Sequence, residues 1–154
     1  MIIVAVLAFA LTVLAVCFHV ACLKQLSRGL VHCRRWPLLG PAVILLGAIV
    51  AHLFEIGVFG WVFAVLAMSG TYGSISGDIE FGSLNYFFLS AETYTALGYS
   101  GNTPTGPLRL LAASEALTGL VLITWTASLG FTAMQTCWET TLPGENRQTR
   151  NPDS

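Results

Sequence analysis

The chain has 154 residues, 55% of them hydrophobic and only 10% charged, with a formal net charge of −1 and a mean hydropathy of +0.71. A soluble domain carries about 25% charged residues, so this composition excludes an ordinary water-soluble domain and makes much of the surface face lipid. The chain has no nucleotide-binding glycine fingerprint, no internal repeat and no basic patch beyond one loop, which leaves nothing to bind nucleic acid.

Residues 1–23 contain no charged side chain, and the run from Ile2 to about Leu23 is long enough to cross a bilayer, which takes about 20 apolar residues. A signal peptide would show a basic leader and a shorter apolar core. Val20-Ala21-Cys22 is similar to a lipoprotein cleavage site, but His19 stands where an aliphatic residue belongs. Residues 1–23 therefore read as a transmembrane helix.

Residues 24–40 carry Lys24, Arg28, Arg34 and Arg35, whereas residues 70–106 have no Lys or Arg and hold Asp78, Glu80 and Glu92. The positive-inside rule places the first of these loops in the cytoplasm. The N-terminus and residues 70–106 then lie outside, and the short tail 138–154, with Arg147 and Arg150, lies inside. The expected location is the plasma (inner) membrane. A second span is predicted from about Pro41 to Met68 and a third from near Pro107 to about Cys137. At about 1.5 Å per residue each reaches roughly 40 Å, so these helices tilt or project from the membrane.

Acids inside apolar helices are rare and face a cavity or a partner. Glu55 and Glu115 are such acids. Glu55 lies three residues after His52 and shares its helix face. His19 of the first span is placed to approach them. A structural polar link between helices is the first reading of this set, and a pH-sensitive switch the second. Gly57 and Gly60 allow close helix approach. Trp36, Trp61 and Trp138 read as interfacial anchors, and Trp125, at mid-span, as packing. Cys17, Cys22, Cys33 and Cys137 read as small apolar residues and make no disulfide framework. No Cys/His cluster has zinc spacing, and no catalytic or metal constellation has reach-compatible spacing, so neither an enzyme nor a cofactor is expected.

Residues 84–95, Leu-Asn-Tyr-Phe-Phe-Leu-Ser-Ala-Glu-Thr-Tyr-Thr, predict an aromatic helix of about three turns, with its pattern clearest from Asn85 to Thr95. It leads into Thr95-Ala96-Leu97-Gly98-Tyr99-Ser100-Gly101. The order of apolar span, short helix, Gly-Tyr loop and apolar span resembles the pore module of potassium channels, whose loop reads T-[VIL]-G-[YF]-G. Ala96 stands in place of the threonine and Ser100 in place of the second glycine. Glu92 matches a buried glutamate behind the filter in some of these channels, Pro104 follows at the family spacing, Arg109 opens the last helix, and Gly119 falls at the glycine hinge. The resemblance covers residues 41–137, about two thirds of the chain.

The resemblance implies an all-α membrane protein of three transmembrane helices with a re-entrant pore helix and filter loop, assembled as a homotetramer in the bilayer. Its function would be that of a pore-forming subunit of a cation channel. Potassium would be the permeant ion, a monovalent cation held by carbonyls of Thr95, Ala96, Leu97, Gly98, Tyr99 and Ser100. Leu97 and Tyr99 would turn outward into the pore-helix packing. Glu92 and Glu115 would support the filter, Gly119 would be the gating hinge, and Asp78 and Glu80 would line the outer mouth. A non-selective or non-conducting subunit with a structural or regulatory role is the alternative, because of Ala96 and Ser100. The 1–23 helix has no counterpart in the two-helix channel and is left for an unidentified partner.

Overall fold

The structure is a computed structural model that describes residues 1–28, 39–77, 82, 84–99 and 101–139, with side chains as far as Cys137. Asp78, Glu80, Ser100, Arg34, Arg35, Trp36, Cys33 and the side chain of Trp138 lie outside the described residues.

Helix α1, Ile2–Arg28, buries Val4, Ala8, Leu11, Ala15, His19 and Leu23. Steps of three and four residues put these on one face, and the alanines let a neighbouring helix approach closely. Phe9 and Leu14 stay exposed on the opposite side. The helix runs past the expected end at Leu23. Leu26 lies against Gly47 of the next helix, and the long stems of Lys24 and Arg28 carry their charges out from the apolar end. This segment was expected as loop, but its contacts keep it helical.

Helix α2, Leu39–Met68, and helix α4, Leu108–Glu139, match the second and third predicted spans. All three are long and apolar enough to cross a membrane, and among the described residues the fold is all-helical apart from two very short strands. Strand β1, Ile75–Ser76, pairs antiparallel with β2, Thr103–Pro104, in the register Ile75↔Pro104 and Ser76↔Thr103. Thr105 N–H donates to Ser74 O at 2.8 Å. Nothing in so short a pairing shows as sequence periodicity. It joins the chain after α2 to the chain before α4.

Helix α3, Leu84–Tyr94, lies between them, close to its predicted bounds. Two glycines set its position. A Cβ on Gly60 would lie 3.1 Å from the Tyr86 carbonyl oxygen and from Phe87 Cα, so α2 touches the α3 backbone there. Gly119 of α4 meets the Tyr94 carbonyl and ring at the other end of α3. The core gathers at this end of the bundle, with Val4, Leu11, Phe59, Phe63, Leu89, Leu108, Leu111 and Leu122 in one cluster.

Two residue expectations change. Trp125 is 46% exposed, on the side of α4 that also exposes Leu117 and Val121, so it is only half covered within the described residues. Cys17 is exposed on the outer face of α1 and Cys137 is disulfide-bonded, against the reading of four small buried thiols.

Candidate functional site

The polar residues of the three long helices converge with the end of α3. His19 Nδ1 lies 3.0 Å from Glu55 Oε1, and His19 Nε2 lies 3.0 Å from Thr126 Oγ1. His52 Nε2 meets the same Thr126 oxygen at 3.0 Å, and His52 Nδ1 lies 2.8 Å from the Tyr94 hydroxyl. The Tyr94 hydroxyl also bonds Glu55 Oε2. The two imidazoles pack against each other with centroids 4.7 Å apart.

These contacts close a ring: Glu55, Tyr94, His52, Thr126, His19 and back to Glu55. Each of the four helices contributes to it. His19 and Glu55 are fully buried, at 0% and 2% side-chain exposure, and His52 is 13% exposed. A buried polar group without a partner is costly, so the ring ties all four helices to one arrangement. Five bonds need five protons. Tyr94, Thr126 and the two imidazoles supply one each, and the fifth rests on Glu55 or on one imidazole. The ring is then neutral overall, as a low-dielectric interior demands.

A second polar link lies further along α3. The Ser90 hydroxyl is 2.7 Å from the Ile56 carbonyl of α2 and also bonds Glu115 of α4. Ser90 and Glu115 are both 0% exposed. One hydroxyl proton cannot serve two acceptors. The Ser90 hydroxyl lies between the Ile56 carbonyl and Glu115 Oε1 and donates to one of them at a time. Thr12 of α1 bonds Thr118 of α4 at 3.1 Å.

The loop after α3 is the other candidate site. Ala96 has φ 56° and Gly98 φ 58°, both in the left-handed region. Leu97 N–H donates to Glu92 O at 2.9 Å and Ala96 N–H to Thr93 O at 3.0 Å, which tightens the helix end. Thr95 to Tyr99 are all exposed. Leu97 and Tyr99, expected to pack on the pore helix, are 68% and 76% exposed within one chain. Glu92 is buried on α3.

The structure thus brings His19, His52 and Glu55 together and adds Tyr94 and Thr126, which sequence reasoning missed. It also joins Glu115 to Ser90 and Gly119 to Tyr94. The sequence shows no metal constellation at reach-compatible spacing, yet the fold gathers three potential ligands. His19, His52 and Glu55 offer ligand atoms all within 4.8 Å of one another. Thirty-two residues lie between the two histidines, so no motif spacing could announce the cluster. Hydroxyl groups inside apolar spans were the available signal.

Comparison of the chain with protein-family models, with curated proteins and with solved structures returned no match.

Proposed function

We propose that the chain is the pore-forming subunit of a homotetrameric cation channel. In this reading α3 enters the membrane as a pore helix, and residues 95–100 supply carbonyls that hold a dehydrated potassium ion. One observation carries it. A short helix clamped between two membrane-length helices ends in an exposed loop that turns left-handed at Ala96 and again at Gly98.

Irregular backbone at membrane depth survives only when it is buried in protein or lines a water-filled cavity. Four copies around an axis meet that condition. Alternation of left- and right-handed residues turns successive carbonyls toward the axis. The C-terminal end of α3 carries the negative pole of its helix dipole, which favours a cation there.

Leu97 and Tyr99, bare in one chain, would pack on a neighbouring copy. The exposed face of α4, with Leu117, Leu120, Val121 and Trp125, offers apolar surface for the same assembly. Asp78 and Glu80 would ring the outer mouth and raise the local cation concentration. A bend of α4 at Gly119 would move the end of α3 and with it the start of the loop.

The test is stoichiometry and flux on reconstituted protein. Native mass measurement in mild detergent should return a tetramer. Liposome flux should be greatest for potassium, lower for sodium and absent for a large organic cation. A folded monomer or dimer would sink the proposal. A tetramer that passes no ion would leave the assembly and reassign it to a structural or regulatory role.

A further inference from the structure

We propose that His19, His52, Glu55 and Tyr94 form a binding site for a divalent transition metal of the zinc type, inside the helix bundle where α3 ends and the exposed loop 95–99 begins. The inference does not rest on the channel reading.

The donor set is suitable. Imidazole nitrogen and carboxylate or phenolate oxygen are ligands that zinc accepts in tetrahedral geometry. With metal–ligand bonds of about 2.0–2.1 Å, neighbouring ligand atoms lie about 3.3 Å apart. The observed separations bracket that edge: 3.0 Å from His19 Nδ1 to Glu55 Oε1, 3.5 Å from His52 Nδ1 to Glu55 Oε2, 2.8 Å from His52 Nδ1 to the Tyr94 hydroxyl and 2.5 Å from that hydroxyl to Glu55 Oε2. The His and Glu ligand atoms all lie within 4.8 Å, so the side chains must shift by some tenths of an ångström to enclose an ion.

Thr126 supplies the orienting contact. Both Nε2 atoms lie 3.0 Å from its single Oγ1. A hydroxyl oxygen accepts two hydrogen bonds. When both Nε2–H groups donate to Thr126, both Nδ1 lone pairs are directed at the Glu55 and Tyr94 oxygens. Four electron-rich atoms then face one another around a point that needs positive charge. Metal-bound imidazoles commonly donate their second N–H in this way.

Charge balances in both states. The ring without metal holds five protons and is neutral. With the metal, a carboxylate and a phenolate offset the two positive charges, and both imidazoles stay neutral. One divalent ion therefore enters and two protons leave, one from the ring's shared fifth position and one from the Tyr94 hydroxyl. His52, at 13% side-chain exposure, is the least buried of the four ligands. Cys22 of α1 and Glu115 of α4 lie outside the ligand set.

The experiment is a Co²⁺ titration of the full chain, free of any affinity tag, in lipid nanodiscs. Visible absorption should develop the intense bands of tetrahedral cobalt and saturate at a single equivalent per chain. In weakly buffered solution about two protons should be released per ion bound, and Zn²⁺ should erase the bands. Thr126→Val should weaken binding roughly 10–100-fold. Tyr94→Phe should shift the bands and cut the proton release to one. Folded wild-type protein that develops no tetrahedral bands overturns the proposal and leaves the ring a proton-only lock. Bands unchanged by both Tyr94→Phe and Thr126→Val would overturn it too, placing the ion at a thiol such as Cys17.

Discussion

Gly119 of α4 faces the backbone carbonyl of Tyr94 so closely that no methyl group fits between the two helices. The contact holds the last residue of α3, and the loop begins at the next residue. A glycine that looks like a bending point in the sequence is thus also a packing surface.

Gly119→Ala is accordingly expected to destabilise the fold by about 1–3 kcal/mol, the usual cost of overpacking. Gly60→Ala, which meets the α3 backbone at 3.1 Å, should act in the same direction. Gly57→Ala is the control, since nothing lies within 4 Å of its added Cβ. It should be neutral or gain up to about 1 kcal/mol from lower chain entropy. Thermal unfolding in nanodiscs checks the order. Equal midpoints for Gly119→Ala and Gly57→Ala would remove the packing role.

Glu55 separates two effects of one side chain. Glu55→Gln keeps an acceptor for His19 and a donor for Tyr94, so all five bonds can form without a shared proton. It should change stability little. Glu55→Ala leaves His19 and Tyr94 without their partner and should cost about 1–3 kcal/mol for each orphaned group. The difference in unfolding midpoint between the two variants is the measurement. If both are equally damaging, the ring as described is wrong.

Glu115 gives a parallel case with a different donor count. An amide at this position offers Ser90 an acceptor or a donor in the same place. Glu115→Gln should therefore be close to silent, and Ser90→Ala should loosen α3 from both α2 and α4. Hydrogen exchange of the α3 amides checks this. The expected result is faster exchange in Ser90→Ala and wild-type exchange in Glu115→Gln.

Ala96 is a non-glycine residue at φ 56°, a conformation that costs roughly 1–2 kcal/mol. Ala96→Gly should be tolerated or stabilising. Ala96→Thr puts a β-branched side chain where the backbone is already strained. It should lower the unfolding midpoint relative to Ala96→Gly. Unchanged stability in Ala96→Thr would mean that the loop relaxes to another conformation.

The helices were legible because lipid imposes a simple rule. Long uncharged runs become spans, and the aromatic run after Leu84 became α3 almost at its expected bounds. Residues 24–28 misled because a basic residue marks the end of the apolar run and not the end of the helix. Leu26 against Gly47 keeps that turn in place, a contact between segments with no local signature. His52 and Glu55 were legible as a pair, since their spacing fixes a shared face. Tyr94 was not, because it reads as part of an aromatic helix until its hydroxyl is seen between Glu55 and His52. Thr126 was invisible for the same reason: nothing in its neighbours tells a lipid-facing threonine from one that bridges two imidazoles.

His19 has a consequence for helix α1 as a whole. Because it contributes two of the ring's bonds, the first helix is not an appendage that can be clipped or exchanged freely. Its removal would leave the Glu55 carboxyl facing hydrocarbon with an empty place beside it, and Thr118 would lose Thr12 as well. The first helix is therefore one side of the polar ring that it shares with α2, α3 and α4.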